Sequence, residues 1–186
     1  MKKMRTFFGI LLAVMLILCA VPALAYTTED VDIWFAEGYY EPRVTWQRTS
    51  YGRGAAADIY EEARLDGYTY SFRAMSDGSG VAEVALTGWF EDLQMQDADF
   101  PLGLQAFNNC ILAVDKLVPS HDASYVFSPY DIYDILKAGR FYDYDGIDNW
   151  TITEIQPGRI EVRHDSGCYL IMSVYGSTFN FLYTAN

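Results

Sequence analysis

The chain reads as an α+β protein: an antiparallel sheet with helices packed on one face, in the order α-β4-α-α-β4. Three observations predict this. Leu104, Phe107, Ile111, Val114 and Val118 recur at steps of three and four in mid-chain, the spacing of one helical face. Eight short runs rich in Val, Ile, Tyr, Phe and Thr fall in two groups of four around that helix. The breaks within each group are short and rich in Gly, Asp and Ser, as hairpins require.

Residues 1–25 are expected to be an export signal outside the fold. Lys2, Lys3 and Arg5 precede an apolar stretch from Phe7 to Val21, and Ala23-Leu24-Ala25 makes a small-x-small cleavage site. The stretch is short for a membrane span, which takes about 20 apolar residues. Cys19 follows the bulky Leu18, which argues against lipid attachment. The mature part is then 26–186, 161 residues and a single domain, with possible half-repeats 26–92 and 93–186.

Thr28 caps a first helix, with Glu29 and Asp30 in its first turn and Gly38 as its stop; Val31, Trp34 and Phe35 share one face, and a strand is the alternative because Val31, Ile33 and Phe35 also alternate. Four strands follow over Arg43–Thr49, Asp58–Leu65, Tyr68–Met75 and Val81–Thr87, with Asp66-Gly67 the clearest hairpin turn. The central helix runs from Pro101, suited to a first helical position, to Val118, and Pro119 ends it. Ser128-Pro129 opens a short helix carrying Tyr130, Ile132, Tyr133, Ile135 and Leu136. The last four strands are Trp150–Ile155, Arg159–His164, Cys168–Tyr175 and Thr178–Thr184. Ile160, Val162 and His164 alternate with Glu161, Arg163 and Asp165, and Tyr70 and Phe72 with Ser71 and Arg73. Each strand therefore has a core side and a water side.

Charge narrows the partners. Three of the 13 Lys and Arg lie in the leader, leaving ten against all 25 Asp and Glu, a balance of about −15. Such a surface repels nucleic acid and anionic membrane, so neither is an expected partner. It suits solubility outside the cell, or attraction to a basic partner or to cations.

Cys110 and Cys168 remain after signal removal, and an even count in an exported chain favours a disulfide between them. Closing a loop of 58 residues would stabilise by ~4 kcal/mol on the chain-entropy view. Two buried free thiols are the alternative.

Catalytic patterns are weak. Cys110, His164 and Asn180 follow the chain order of several thiol peptidases and amidases, which makes a secreted thiol hydrolase using Cys110 and His164 the alternative function. Cys110 lies well inside a helix, however, where no helix N-terminus lowers a thiol pKa. Asp143, Asp145, Asp148 and Glu154 gather carboxylates, but Gly146 is fourth where a calcium loop of the EF-hand kind needs glycine sixth. His121 and His164 are the only histidines and lack zinc-ligand spacing. No metal or other cofactor is expected. Asn149-Trp150-Thr151 matches a glycosylation acceptor, a pattern common by chance.

Aromatic clusters are the most suggestive feature. Trp34, Tyr39, Tyr40 and Trp46 lie close together in the first half, and Phe141, Tyr142, Tyr144 and Trp150 in the second. Rigid amphipathic rings make good contacts to proteins and sugars, or else staple helix ends to a sheet. Helices followed by four antiparallel strands, used twice, are similar in outline to secreted proteinaceous inhibitors of the β-lactamase-inhibitor type. The likeness is architectural, and architecture alone does not assign function. The expectation is a secreted, non-catalytic binding module that recognises an extracellular protein or glycan through Tyr39, Tyr40, Trp46, Tyr142, Tyr144 and a sheet face.

Overall fold

The structure, a computed structural model, describes residues 26–37, 45–53, 57–65, 68–89, 102–123, 127, 136, 138 and 149–185. Helix α1 (Thr28–Ala36) precedes strands β1 (Gln47–Tyr51), β2 (Asp58–Leu65), β3 (Tyr68–Ser76) and β4 (Val81–Trp89). Helix α2 (Leu102–Leu117) precedes β5 (Trp150–Gln156), β6 (Arg159–His164), β7 (Tyr169–Tyr175) and β8 (Thr178–Thr184).

The eight strands form one antiparallel sheet in the order β1-β2-β3-β4-β8-β7-β6-β5. Each group of four is a hairpin meander, because its breaks are too short for anything else. The groups join where β4 pairs with β8, Leu86 opposite Phe181 and Thr87 opposite Asn180. The α+β class with an antiparallel sheet is therefore present. The expected export signal, the expected turn at Asp66-Gly67, Gly38 and nearly all of the expected short helix after Pro129 lie outside the described residues.

Helix α1 is capped by Thr27, one residue before the expected Thr28. Thr27 accepts from the Asp30 backbone N–H at 3.2 Å, while the Asp30 carboxylate accepts from the Thr27 N–H at 2.8 Å. This reciprocal box leaves Thr28 free to point inward, where its hydroxyl donates to the Ala57 carbonyl. Both described helices lie on the same side of the sheet. Phe35 of α1 stacks on Phe72 of β3 at 3.9 Å, and Phe107 of α2 meets Phe179 and Phe181 of β8 edge-on at 5.0 and 5.8 Å. Phe107, Ile111, Val114 and Val118 are buried together with Val84, Leu86, Leu170 and Met172, so the helical stripe read from the sequence is the centre of the core.

Two glycines serve this packing. Gly88 lets the Tyr70 ring lie over the backbone; a Cβ there would meet that ring at 3.0 Å. Gly158 turns β5 into β6 with φ +84°, a left-handed conformation that disfavours any side chain. Its N–H donates to the Leu136 carbonyl and its carbonyl accepts from Val174.

Candidate functional site: a polar clasp and an uncovered sheet face

Two places gather functional groups. The first is a clasp where α2 ends. The chain leaves that helix at Val118, and Pro119 prevents its continuation. Ser120 then donates to the Asp122 carboxylate at 2.7 Å, which also accepts from Trp150 Nε1 at 2.8 Å and Asn149 Nδ2 at 3.1 Å. Burial pushes the Asp122 carboxyl up, but these three hydrogen bonds and the nearby His164 outweigh it and hold the group below its ordinary value. His164, 4% exposed, lies against the Trp150 ring and bonds through both nitrogens. Its Nδ1 accepts the Ser166 backbone N–H at 3.0 Å, which places the ring proton on Nε2, 2.9 Å from Ser120 Oγ. The Ser166 hydroxyl lies 2.8 Å from Nδ1 and donates to Cys168 Sγ at 3.6 Å.

A serine beside a histidine invites a catalytic reading, and the direction of these bonds opposes it. The imidazole donates to Ser120, and the Ser120 proton is already directed at Asp122. Nε2 therefore has no lone pair with which to activate that serine. The arrangement ties the α2 exit, the start of β5 and the β6–β7 turn together. It also holds His121 and Asn149 in left-handed backbone, at φ 51° and 70°. His164 shares the buried side of its strand with Ile160 and Val162, the side its alternation predicts. Ser120, Asp122 and Ser166 carry no sequence signal for this role, since polar residues after a proline and in a β-turn are ordinary loop chemistry.

The thiols fare as follows. Cys110 and Cys168 are both free and both buried, so the expected bridge is not formed in this structure. Burial pushes the Cys110 thiol well up, and Cys168 is likewise raised by burial against the hydrogen bond from Ser166. A sealed, neutral thiol is the opposite of an activated nucleophile, which removes the physical basis for a Cys110–His164 hydrolase. Among the described residues no group of three or more His, Cys, Asp and Glu is placed to hold a metal ion. Of the expected carboxylate cluster only Glu154 is described, and it pairs with Arg159 at 3.1 Å.

The second place is the sheet face turned away from the helices. Strand alternation and register define its rows. One runs Tyr60–Arg73–Ala85–Leu182–Ile171–Glu161. Beside it runs Glu62–Ser71–Thr87–Asn180–Ser173–Arg159, in which Thr87 donates to Asn180 at 3.0 Å. A third runs Asp58–Met75–Glu83–Thr184–Tyr169–Arg163; Asp58 and Met75 continue the β2–β3 register, and Arg163 lies over the Tyr169 ring at 5.3 Å. Arg64, Arg73, Arg159 and Arg163 stand among Glu62, Glu83, Glu154, Glu161 and Asp58, and Arg73–Glu83 and Arg64–Glu62 are ion pairs. The face is close to neutral on a chain whose formal net charge is −12. It bears four arginines and no lysine, with Tyr60 39% and Tyr175 87% exposed.

Of the aromatic residues expected to bind, Tyr39, Tyr40, Tyr142 and Tyr144 lie outside the described residues. Trp46 packs edge-on against Phe35 at 5.4 Å and joins the margin of the core, and Trp34 holds Lys116 at 4.8 Å from its ring. Both staple α1 to its surroundings. Among the described residues no helix is long and apolar enough to cross a membrane. Comparison with protein-family models, with curated proteins and with solved structures finds no match to the chain.

Proposed function

We propose that this chain is a secreted, non-catalytic binding module whose working surface is the sheet face opposite the helices, acting together with the aromatic-rich segments at Tyr39, Tyr40, Tyr142 and Tyr144. One observation carries the reading: a broad, nearly neutral face rich in arginine, tyrosine and hydroxyl groups on an otherwise strongly acidic chain. Arginine and tyrosine are enriched in protein interfaces and lysine is depleted. Eight strands about 4.8 Å apart, each about seven residues long, give an area of about 800 Å², the share one partner contributes to a stable protein complex. That size favours a protein over a glycan.

The same reading takes the order α-β4-α-α-β4 as an internal duplication. Each half would supply one meander and one helical layer, and the halves meet at the β4–β8 pair. Residues 1–25 would direct export, and with the signal removed the partner is extracellular, neither nucleic acid nor membrane.

The test is affinity capture from the producing organism's culture supernatant, followed by measured binding of the recovered partner to single variants. Tyr60→Ala, Tyr175→Ala and Arg163→Ala on the face should each weaken binding by about ten-fold or more. Ile33→Ala, on the helical side, should leave it unchanged. Binding that none of the face or loop variants alters would remove the proposal.

A further inference from the structure

We infer that the occupant of the sheet face that no described residue covers is a second copy of this chain, packed face to face about a two-fold axis along the β4–β8 seam. The inference rests on the reading of that face as the working surface and names what sits on it. The argument is self-complementarity. A two-fold axis parallel to the strands and between β4 and β8 carries β4 over β8, β3 over β7 and β2 over β6 of the other copy. Row by row, Ala85 then meets Leu182, and Thr87 meets Asn180. Ser71 meets Ser173, and Met75 meets Tyr169.

At the flanks the charges oppose. Glu62 of β2 meets Arg159 of β6, Asp58 meets Arg163, and the Tyr60 hydroxyl meets Glu161. No row sets two like charges of β2 and β6 against each other. An isologous contact needs a patch that complements itself in this way, and a face made for an unrelated partner does not need it. The total buried area, about 1,600 Å² for two copies, is that of a standard specific interface. Net charge points the same way. Two copies at a formal −12 each repel wherever their acidic surfaces meet, and this face is the described surface where they can approach at little electrostatic cost. Sheets packed face to face lie about 10 Å apart, room for one interdigitated layer of side chains.

The experiment is sedimentation equilibrium of the mature chain from ~1 to ~100 μM at physiological salt. The expected result is a reversible monomer–dimer equilibrium. Arg159→Glu and Glu62→Arg should each weaken dimerisation by about ten-fold or more, and the swapped double variant Glu62→Arg/Arg159→Glu should restore most of the loss. Leu182→Glu should abolish it, with circular dichroism confirming the fold, and Leu112→Glu on helix α2 should dimerise as the parent does. A chain that stays monomeric at every concentration overturns the inference, as does a dimer indifferent to Leu182→Glu and to both charge reversals. A monomer that binds an extracellular protein or glycan, and loses that binding in Tyr175→Ala, overturns the dimer and leaves the binding-module reading standing.

Discussion

Nε2 of His164 lies 2.9 Å from Oγ of Ser120, a residue 44 positions earlier, and this bond closes the helical layer onto the sheet. It is one of three linked hydrogen bonds running from the Ser166 backbone through the buried imidazole and the surface hydroxyl of Ser120 to the Asp122 carboxylate. Removing a middle member leaves neighbours unsatisfied. Ser120→Ala is expected to destabilise by about 1–3 kcal/mol, and His164→Ala by at least as much because it also opens space beside Trp150. Urea unfolding followed by tryptophan fluorescence measures both, and a loss below a few tenths of a kcal/mol would show the clasp to be incidental.

Asp122 makes the same clasp sensitive to acid. Its folded-state pKa is held below the ordinary carboxylate value, so the stability it contributes is fully present above the unfolded value near 3.8 and is lost as pH falls through the folded value. Parent protein should therefore lose stability more steeply below about pH 4 than Asp122→Asn does. Unfolding midpoints at pH 7, 4 and 3 read the difference. Parallel curves would mean that the carboxylate is not preferentially charged in the fold.

The core makes a sharper demand at Phe107, fully buried between β8 and its own helix. Phe107→Ala should cost about 3–5 kcal/mol, whereas Leu112→Ala, 42% exposed on the same helix, should cost under about 1 kcal/mol. A larger loss at Leu112 than at Phe107 would place the helix the other way round.

Cys110 and Cys168 should both be titratable as free thiols after unfolding in denaturant and react slowly in the folded protein near pH 8, because both are buried with raised pKa values. Ellman's reagent with and without denaturant is sufficient. A rapidly reacting thiol in the native chain would restore the hydrolase reading, and its absence in both conditions would mean a disulfide.

Gly158→Ala should destabilise by more than about 1 kcal/mol. The residue has φ +84°, and an added Cβ would meet the Val174 carbonyl oxygen at 3.3 Å. Gly78→Ala shares the left-handed φ but has open space around it, so it should cost less. Thermal unfolding of both variants separates strain from crowding.

Periodicity and turn chemistry determined much of this protein. Asp58–Leu65, Arg159–His164 and Thr178–Thr184 are strands with the bounds the sequence predicts, and the stripe from Phe107 to Val118 is buried as its spacing requires. These follow from local geometry: a period of two or of 3.6 tells a residue which side it shares, whatever lies opposite. Tertiary structure alone decided the rest. Pairing of β4 with β8 joins positions 93 residues apart at Thr87 and Asn180, and no local pattern encodes which strands become neighbours. The clasp likewise depends on three loops meeting, so Ser120, Asp122 and Ser166 look like ordinary turn residues until His164 is brought among them. The neutrality of the outer face exists only after register sets Glu62, Arg73 and Arg159 across neighbouring strands, because a charge count along the chain cannot show where those charges gather.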